Sequence, residues 1–175
     1  MNTHLAITAV LKARGVETIV ASDLSPKRRE LATVMGASHV VNGSESSVLA
    51  KAAEVAPGKP LYIYENTGAP GMINQIVIEA PQNAHITVTG IAPAEETFVP
   101  MIAISKELSM NFVIYYGQDE FAEALAMITN GQLNWQVLHT GTVDLDGIAG
   151  AFTDLADPER HAKIIIDPWS DAGTH

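Results

Sequence analysis

The stretch from Glu17 to Met35 constrains the fold most, because it reads as a buried strand, a turn and a capped helix in immediate succession. The apolar, largely β-branched run that opens it is typical of a strand covered on both faces. Ser25 is a good N-cap and Pro26 suits the first helical position, so we predict that a helix begins there. Asp23 stands between strand and helix, where a dinucleotide-binding fold holds the adenosine ribose. A solvated turn residue is the alternative interpretation.

Strands and helices alternate along the chain as far as Gly117, with turns rich in glycine, proline and asparagine between them. This alternation predicts an α/β fold, a doubly wound parallel sheet with helices on both faces. We predict strands at Glu17–Ala21, His39–Val41, Leu61–Tyr64, Ala84–Thr89 and Ser109–Tyr116, and helices at Leu5–Arg14, Pro26–Met35, Val48–Val55, Gly71–Glu79 and Met101–Ser105.

The pattern changes after Gly117, where amphipathic helices are separated by short apolar runs. We predict helices at Asp119–Thr129 and Asp144–Leu155, each with one apolar stripe. Short strands are predicted at Gln136–His139 and Lys163–Ile166. The segment after residue 117 is therefore a smaller α/β appendage to the parallel sheet.

Charge and composition exclude several classes of function. The 175 residues carry a formal net charge of -10, which argues against binding to nucleic acid or an anionic membrane surface. The net charge does not exclude a phosphate-bearing ligand, because backbone amides and single basic residues can hold one. The sequence has no cysteine, so it can form neither disulfides nor thiolate metal sites. No apolar run approaches the length of a membrane span and no signal peptide is evident, so we expect a cytoplasmic protein.

A series of segments resembles, in order and spacing, the C-terminal half of the medium-chain, zinc-type alcohol dehydrogenase superfamily. They are LKARG, SDLSPKRRELATVMGASHVVN, YENTGAPGMINQ, ITVTG, KELSM, DEFAEALAMITNGQL and FTDLADPERHAKIIIDP. The resemblance implies a truncated, Rossmann-like NAD(P)-binding domain at residues 1–117. It also implies that residues 118–175 pack, in the family, on the catalytic domain. That N-terminal catalytic domain is missing here, together with the first Rossmann strand and most of its Gly-rich turn.

This departure from the family pattern has physical consequences. The resemblance places His4 where the third glycine of G-x-G-x-x-G would sit, and Met1 where the second would sit. In the family the missing strand lies between the strands that correspond to Glu17–Ala21 and Leu61–Tyr64. We expect these two strands to close up, to recruit a strand from another chain, or to leave the domain strained.

The resemblance also assigns residues to a nicotinamide dinucleotide. Asp23 would accept hydrogen bonds from the adenosine ribose and favour NAD over NADP. Arg28 matches a basic family position beside that ribose and could partner a phosphate, or it belongs to a solvated basic run. The remaining positions lie at strand ends, in the stretch that holds the nicotinamide carboxamide, or near the pyrophosphate, with ordinary packing as the alternative for each: Thr67, Gly68, Thr89, Gly90, Val113, Tyr115 and Lys163.

We assign no catalytic residue and no metal ligand. In this superfamily the groups that polarise the carbonyl belong to the missing half. The six histidines are scattered, without a neighbour at metal-ligand spacing. Zinc is expected only in the missing domain of a full-length relative.

The resemblance therefore implies the nucleotide-binding part of an oxidoreductase that transfers a hydride between an alcohol or polyol and NAD. We expect no activity from the isolated chain, and only weak affinity for NAD. One alternative is a non-catalytic nucleotide-binding or self-association module, and another is a zinc-free quinone-reductase relative. We also expect a homo-oligomer, with a two-fold dimer through residues 109–116 as the closed solution.

Overall fold

The structure is a computed structural model and describes residues 3–170. Within these residues every strand pairing is parallel, and a helix lies between successive strands. The predicted fold class, an α/β fold built on parallel strands, is therefore confirmed. Met1, predicted to occupy the second glycine position, lies outside the described residues.

Most of the predicted elements are present, with shifts at their ends. The helices are α1 (Thr3–Ala13), α2 (Pro26–Val34), α3 (Val48–Val55), α4 (Met72–Glu79), α5 (Pro100–Ser105), α6 (Gln118–Thr129) and α7 (Ile148–Asp154). The strands are β1 (Val20–Ser22), β2 (His39–Val41), β3 (Tyr62–Glu65), β4 (His85–Val88), β5 (Ser109–Phe112), β6 (His139–Val143) and β7 (Lys163–Ile166).

The described residues fall into two compact units. The central unit consists of Ser46–Ala122 and contains the elements from α3 to β5. The flanking unit consists of His4–Glu45 together with residues 123–170, and it contains β1, β2, β6 and β7. The sequence predicts a different division, into domains at residues 1–117 and 118–175, which is taken from the family resemblance. That division stays a prediction.

In the flanking unit, β1 and β2 pair in register from Val20 opposite His39 to Ser22 opposite Val41. The predicted capped helix is confirmed, because the Ser25 hydroxyl accepts the backbone N–H of Arg28 at 3.0 Å and α2 begins at Pro26. Helix α1 packs over this region through its apolar face, as its composition predicts. The core here consists of Leu5, Ala9, Ile19, Ala21, Ala32, Met35 and Ala37.

In the central unit the sheet order is β3-β4-β5. The first paired residues are Tyr62 and His85 between β3 and β4, and His85 and Ser109 between β4 and β5. Helix α4 covers the sheet with its apolar side chains. The core consists of Leu49, Ile63, Ile73, Ile76, Val77, Ala80, Ala84, Ile86 and Val88.

Strand β5 is shorter than predicted, because it ends at Phe112 rather than Tyr116. The N–H of Val113 still donates to the carbonyl of Val88, the last residue of β4, at 3.0 Å. Beyond that bond β4 offers no further backbone for pairing, so residues 114–116 continue outside the sheet. An apolar run predicts extended backbone, but the length of the partner strand decides where the ladder stops.

Two predictions for the C-terminal segment are wrong. Instead of a strand at Gln136–His139, a 3-10 turn at Trp135–Val137 precedes β6, since the Leu138 N–H returns to the Trp135 carbonyl at 3.0 Å. Helix α7 does not begin at Asp144, because that carboxylate accepts the N–H of Gly147 at 2.7 Å and forms a turn first. Strands β6 and β7 pair in parallel on either side of α7 in the chain.

Strands β1 and β3, which the missing family strand would separate, belong to different sheets in the described part of the chain. They have not closed up by pairing with each other. Among residues 3–170, no helix is both long enough and apolar enough to cross a membrane.

Candidate functional site

Asp23 follows β1 at its carboxyl end, where the sequence places a ribose-binding acid. Its Oδ1 accepts the backbone N–H of Ser25 at 2.8 Å. Its Oδ2 lies 3.4 Å from Nε2 of His4 and 4.0 Å from a terminal guanidinium nitrogen of Arg28. The three side chains are between 15% and 18% exposed. The end of β1 therefore carries a largely enclosed carboxylate with one imidazole and one guanidinium beside it.

Burial disfavours the charged form of His4 beside this carboxylate. Burial lowers the pKa of His4 below its usual 6.5, although Asp23 raises it, and Arg28 adds to the lowering. Its Nε2 is buried and has no hydrogen-bond partner among residues 3–170, since the approach to Asp23 lacks hydrogen-bond geometry. The contact between His4 and Asp23 is thus close but makes no hydrogen bond.

Arg28 and Arg29 act differently at this strand end. Arg28 lies beside the carboxylate, and its Nε is buried without a hydrogen-bond partner in the described residues. Arg29 instead donates from Nη1 to the carbonyls of Asp23 and Leu24, both at 2.8 Å, and so fixes the turn between β1 and α2. Sequence reasoning missed this role of Arg29, because a basic run at a helix start gives no sign of which carbonyls its members reach.

A second acid, Glu65, ends β3 in the central unit, and its residue is 3% exposed. Its Oε1 accepts the backbone N–H of Thr67 at 2.6 Å, the Thr67 hydroxyl at 2.5 Å and the N–H of Gly68 at 3.0 Å. Its Oε2 is buried without a hydrogen-bond partner among the described residues. The side-chain hydrogen bonds of this carboxylate are therefore made with the turn that follows its own strand.

The turns after β3 and β4 approach each other so closely that glycine is required in both. Gly68 has a φ of +63°, and a Cβ there would lie 2.4 Å from the carbonyl oxygen of Ile91. A Cβ on Gly90 would lie 2.3 Å from Glu65 Oε2 and 2.3 Å from the backbone N of Gly68. The Glu65 carbonyl accepts the N–H groups of Thr89 and Gly90 at 2.8 and 3.0 Å. The two strand ends are therefore interlocked around one carboxylate.

The structure thus brings four of the predicted positions, Thr67, Gly68, Thr89 and Gly90, into one cluster. The Thr89 hydroxyl also contacts the Asn66 side chain. Sequence reasoning named these four as ligand positions but missed Glu65, which organises them. A buried acid just before a Thr-Gly turn was the available signal.

The other predicted positions are more exposed. Val113 contributes its N–H to the ladder with β4, and Tyr115, 88% exposed, stands in the extended run after β5. Lys163 opens β7 with an exposed side chain, and its backbone is bonded to the Thr140 hydroxyl. Val113 and Tyr115 belong to the central unit, whereas Lys163 belongs to the flanking unit with Asp23.

No group of three or more histidine, aspartate or glutamate side chains within residues 3–170 is arranged to hold a metal ion. The polar groups that the structure does bring together are the Asp23 and Glu65 clusters at the ends of β1 and β3.

Comparison with known proteins identifies the family. The family model described as zinc-binding dehydrogenase matches residues 5–130. The chain therefore belongs to the zinc-binding dehydrogenase family, as its sequence segments indicate.

Among curated relatives, the chain is 27% identical to (R,R)-butanediol dehydrogenase of Bacillus subtilis (strain 168), over 94% of this chain and 47% of that protein. The solved structure of 2R,3R-butanediol dehydrogenase from Bacillus subtilis matches with a TM-score of 0.84 at 27% identity, over 95% of this chain and 48% of that one. The chain spans about half the length of the curated relatives it matches.

A further solved structure is similar in fold. It is described as a short chain alcohol dehydrogenase from E. coli CFT073 complexed with cofactor NADH. It matches with a TM-score of 0.82 at 24% identity, over 91% of this chain and 48% of that one. This likeness supports the Rossmann-like architecture of the strands and helices described above.

Proposed function

We propose that this chain is the nucleotide-binding part of an oxidoreductase that transfers a hydride between an alcohol or polyol and NAD. The observation that carries the proposal is the position of Asp23 at the carboxyl end of a parallel strand, immediately before a capped helix. Ligands of open α/β sheets bind at such ends, and an acid there accepts the ribose hydroxyls. The names of the matched relatives, which include butanediol dehydrogenases, support the alcohol as substrate class.

The residues at the end of β1 fit the adenosine ribose of a dinucleotide in their chemistry. Asp23 would hold the adenosine ribose, and its charge would repel a 2′-phosphate, which favours NAD over NADP. Gly68 and Gly90 are further candidates for contact with the cofactor; the space beside their Cα atoms is filled by Ile91 and Glu65, so a ligand would contact the outer side of these turns. Arg28, Thr67, Thr89, Val113, Tyr115 and Lys163 are the further candidates for contact with the cofactor. NAD, when bound, would supply the hydride acceptor, while the residues of this chain bind and orient it.

Catalysis in this proposal depends on groups beyond the matched half of the relatives. Zinc is bound there, and the isolated chain has no alcohol dehydrogenase activity of its own. We propose that the protein works in the cytoplasm.

The experiment that tests the proposal is a calorimetric titration of the chain with NAD and with NADP. We expect binding weaker than low micromolar, with a preference for NAD that Asp23→Asn abolishes. Asp146→Asn, which alters an exposed acid, is the matched control and should leave both affinities unchanged. Equal affinities for NAD in the parent chain and Asp23→Asn would refute the role of Asp23.

A second candidate function, self-association, is favoured by the exposed apolar run that ends β5. Phe112, Ile114, Tyr115 and Tyr116 are each at least 66% exposed. A two-fold dimer through residues 109–116 would cover them, and burying about 800 Å² per partner is typical of a stable interface. Light scattering across a dilution series tests this, since a monomer mass at every concentration would exclude it.

A further inference from the structure

We infer that His4 competes with the cofactor for Asp23: its imidazole occupies the place beside Oδ2 that the adenosine ribose needs, and so limits the affinity of this chain for NAD. This inference rests on the proposed function, since it presupposes that Asp23 is the ribose acid. It goes further by assigning the low affinity to one side chain, rather than to a general lack of contacts.

The geometry at Asp23 leaves a ribose little access to the carboxylate. Oδ1 is engaged by the N–H of Ser25 at 2.8 Å, so Oδ2 is the oxygen with more capacity for a new hydrogen bond. The His4 ring lies 3.4 Å from that oxygen, and the Asp23 side chain is 17% exposed. The imidazole and, at 4.0 Å, the Arg28 guanidinium already lie beside Oδ2, so a ribose hydroxyl has little room there while the ring keeps this position.

The backbone of His4 is fixed, so the ring must move by side-chain rotation alone. His4 lies in the first turn of α1, and its carbonyl accepts the Thr8 hydroxyl at 2.8 Å. The next residue, Leu5, is fully buried in the core of the flanking unit. Because the helix cannot shift without withdrawing Leu5, α1 keeps the imidazole beside the acid unless the side chain itself rotates.

The ring blocks Asp23 without replacing what a ligand would provide. Its Nε2 makes no hydrogen bond within residues 3–170, whereas a ribose hydroxyl would donate one to a charged acceptor. Removing the ring therefore frees the acid without breaking a hydrogen bond of Nε2 in the described residues. Glycine, which the family motif has at the position of His4, would leave Asp23 uncovered. Histidine places an imidazole directly beside the carboxylate.

The test compares His4→Ala with the parent chain by calorimetric titration. Alanine removes the ring and keeps the helix, whereas glycine would weaken α1. We expect the Kd for NAD to fall about tenfold, the factor expected from one recovered hydrogen bond to a charged group. ADP-ribose should gain equally, and nicotinamide mononucleotide, which lacks the adenosine ribose, should gain nothing. His39→Ala, a histidine on β2, is the matched control and should behave as the parent chain.

Two further variants separate this inference from the proposed function. In the Asp23→Asn background, His4→Ala should bring no gain, because the acid that it uncovers is neutralised. His4→Gln, which keeps a polar side chain of similar reach, should retain low affinity. Should His4→Ala prove unfolded by circular dichroism, His4→Ser serves in its place.

The outcomes are distinct. If Asp23→Asn weakens binding of NAD but a folded His4→Ala variant binds no better than the parent chain, the inference is overturned and the proposed function stands. If Asp23→Asn has no effect on NAD while His4→Ala improves binding, both the ribose role of Asp23 and this inference fail. A gain that extends equally to nicotinamide mononucleotide also contradicts the inference.

Discussion

The ends of β1 and β3 both carry an acid, and they use it in opposite ways. The Glu65 carboxylate is bound by the turn that follows its strand. Thr67 and Gly68 donate hydrogen bonds to one carboxylate oxygen, and Gly90 packs against the other. One carboxylate oxygen of Asp23 accepts the Ser25 N–H, and the side chains of His4 and Arg28 lie beside the other. A carboxylate that is hydrogen-bonded to backbone amides, as Glu65 is, has a structural role, because a ligand could reach it only if the turn opened. An acid flanked by movable side chains can exchange them for a ligand.

The largest expected effect concerns the interlock at β3 and β4. Gly90→Ala places a Cβ 2.3 Å from Glu65 Oε2 and from the backbone N of Gly68, so either the carboxylate or the turn must move. We expect a loss of about 3 kcal/mol in the free energy of unfolding, or failure to fold. Urea denaturation measures it.

The matched control for that substitution is Gly150→Ala in α7. Apart from its chain neighbours and the backbone of its own helix, no described atom lies within 4 Å of the Cβ position at Gly150. Alanine there should leave stability unchanged or raise it by up to about 1 kcal/mol. Equal stabilities of the two variants would mean that the strand ends are not interlocked.

The next effect compares the two acids directly. Glu65→Gln keeps the shape of the side chain but replaces the charged acceptor of three donors by a neutral amide oxygen in a buried site, so we expect a loss of about 2 kcal/mol. Asp23→Asn, at a site with one backbone donor, should cost about 1 kcal/mol or less. Both values come from chemical denaturation, with Glu54→Gln, in an exposed pair with Lys51, as the surface control. A larger loss for Asp23→Asn would reverse the assignment of structural and functional acid.

Local chemistry explains which features the sequence could predict. The cap at Ser25, the start of α2 at Pro26 and the position of Asp23 follow from residues that are neighbours in the chain. The turn at Glu65 involves its chain neighbours Thr67 and Gly68, so an acid before a Thr-Gly pair was a signal for it. The approach of Gly90 could not be predicted, because that residue is distant in sequence and adjacent only in the sheet. The sequence marked His4 as a departure from the family glycine, but its contact with Asp23 depends on how α1 packs.

A smaller effect is expected from the side chain that holds the β1 turn. Arg29→Ala removes the donors to the carbonyls of Asp23 and Leu24, and should cost about 1 kcal/mol. Lys27→Ala, which breaks an exposed pair with Glu30, should change stability by no more than about 0.5 kcal/mol. If both variants match the parent chain in thermal unfolding, the turn does not depend on Arg29.

The smallest expected effect is a pH dependence of stability at the β1 end. Burial lowers the pKa of His4 in the folded chain below its usual 6.5, despite the opposing effect of Asp23. As the pH falls through 6.5, the unfolded chain therefore binds a proton that the folded chain does not yet bind. Stability must then decrease with falling pH, by at most about 1.4 kcal/mol per pH unit, until the pKa of folded His4 is reached.

Well above pH 6.5 the histidine is neutral in both states and its contribution to the slope vanishes. The measurement is the free energy of unfolding between pH 5 and 8 for the parent chain and His4→Gln, which cannot titrate. The difference between the two curves isolates His4 from the carboxylates that titrate in both proteins. A parent curve that rises relative to His4→Gln as the pH falls would mean that His4 gains its proton on folding. Its contact with Asp23 would then be a charged pair, and the β1 acid would be as firmly held as the β3 acid.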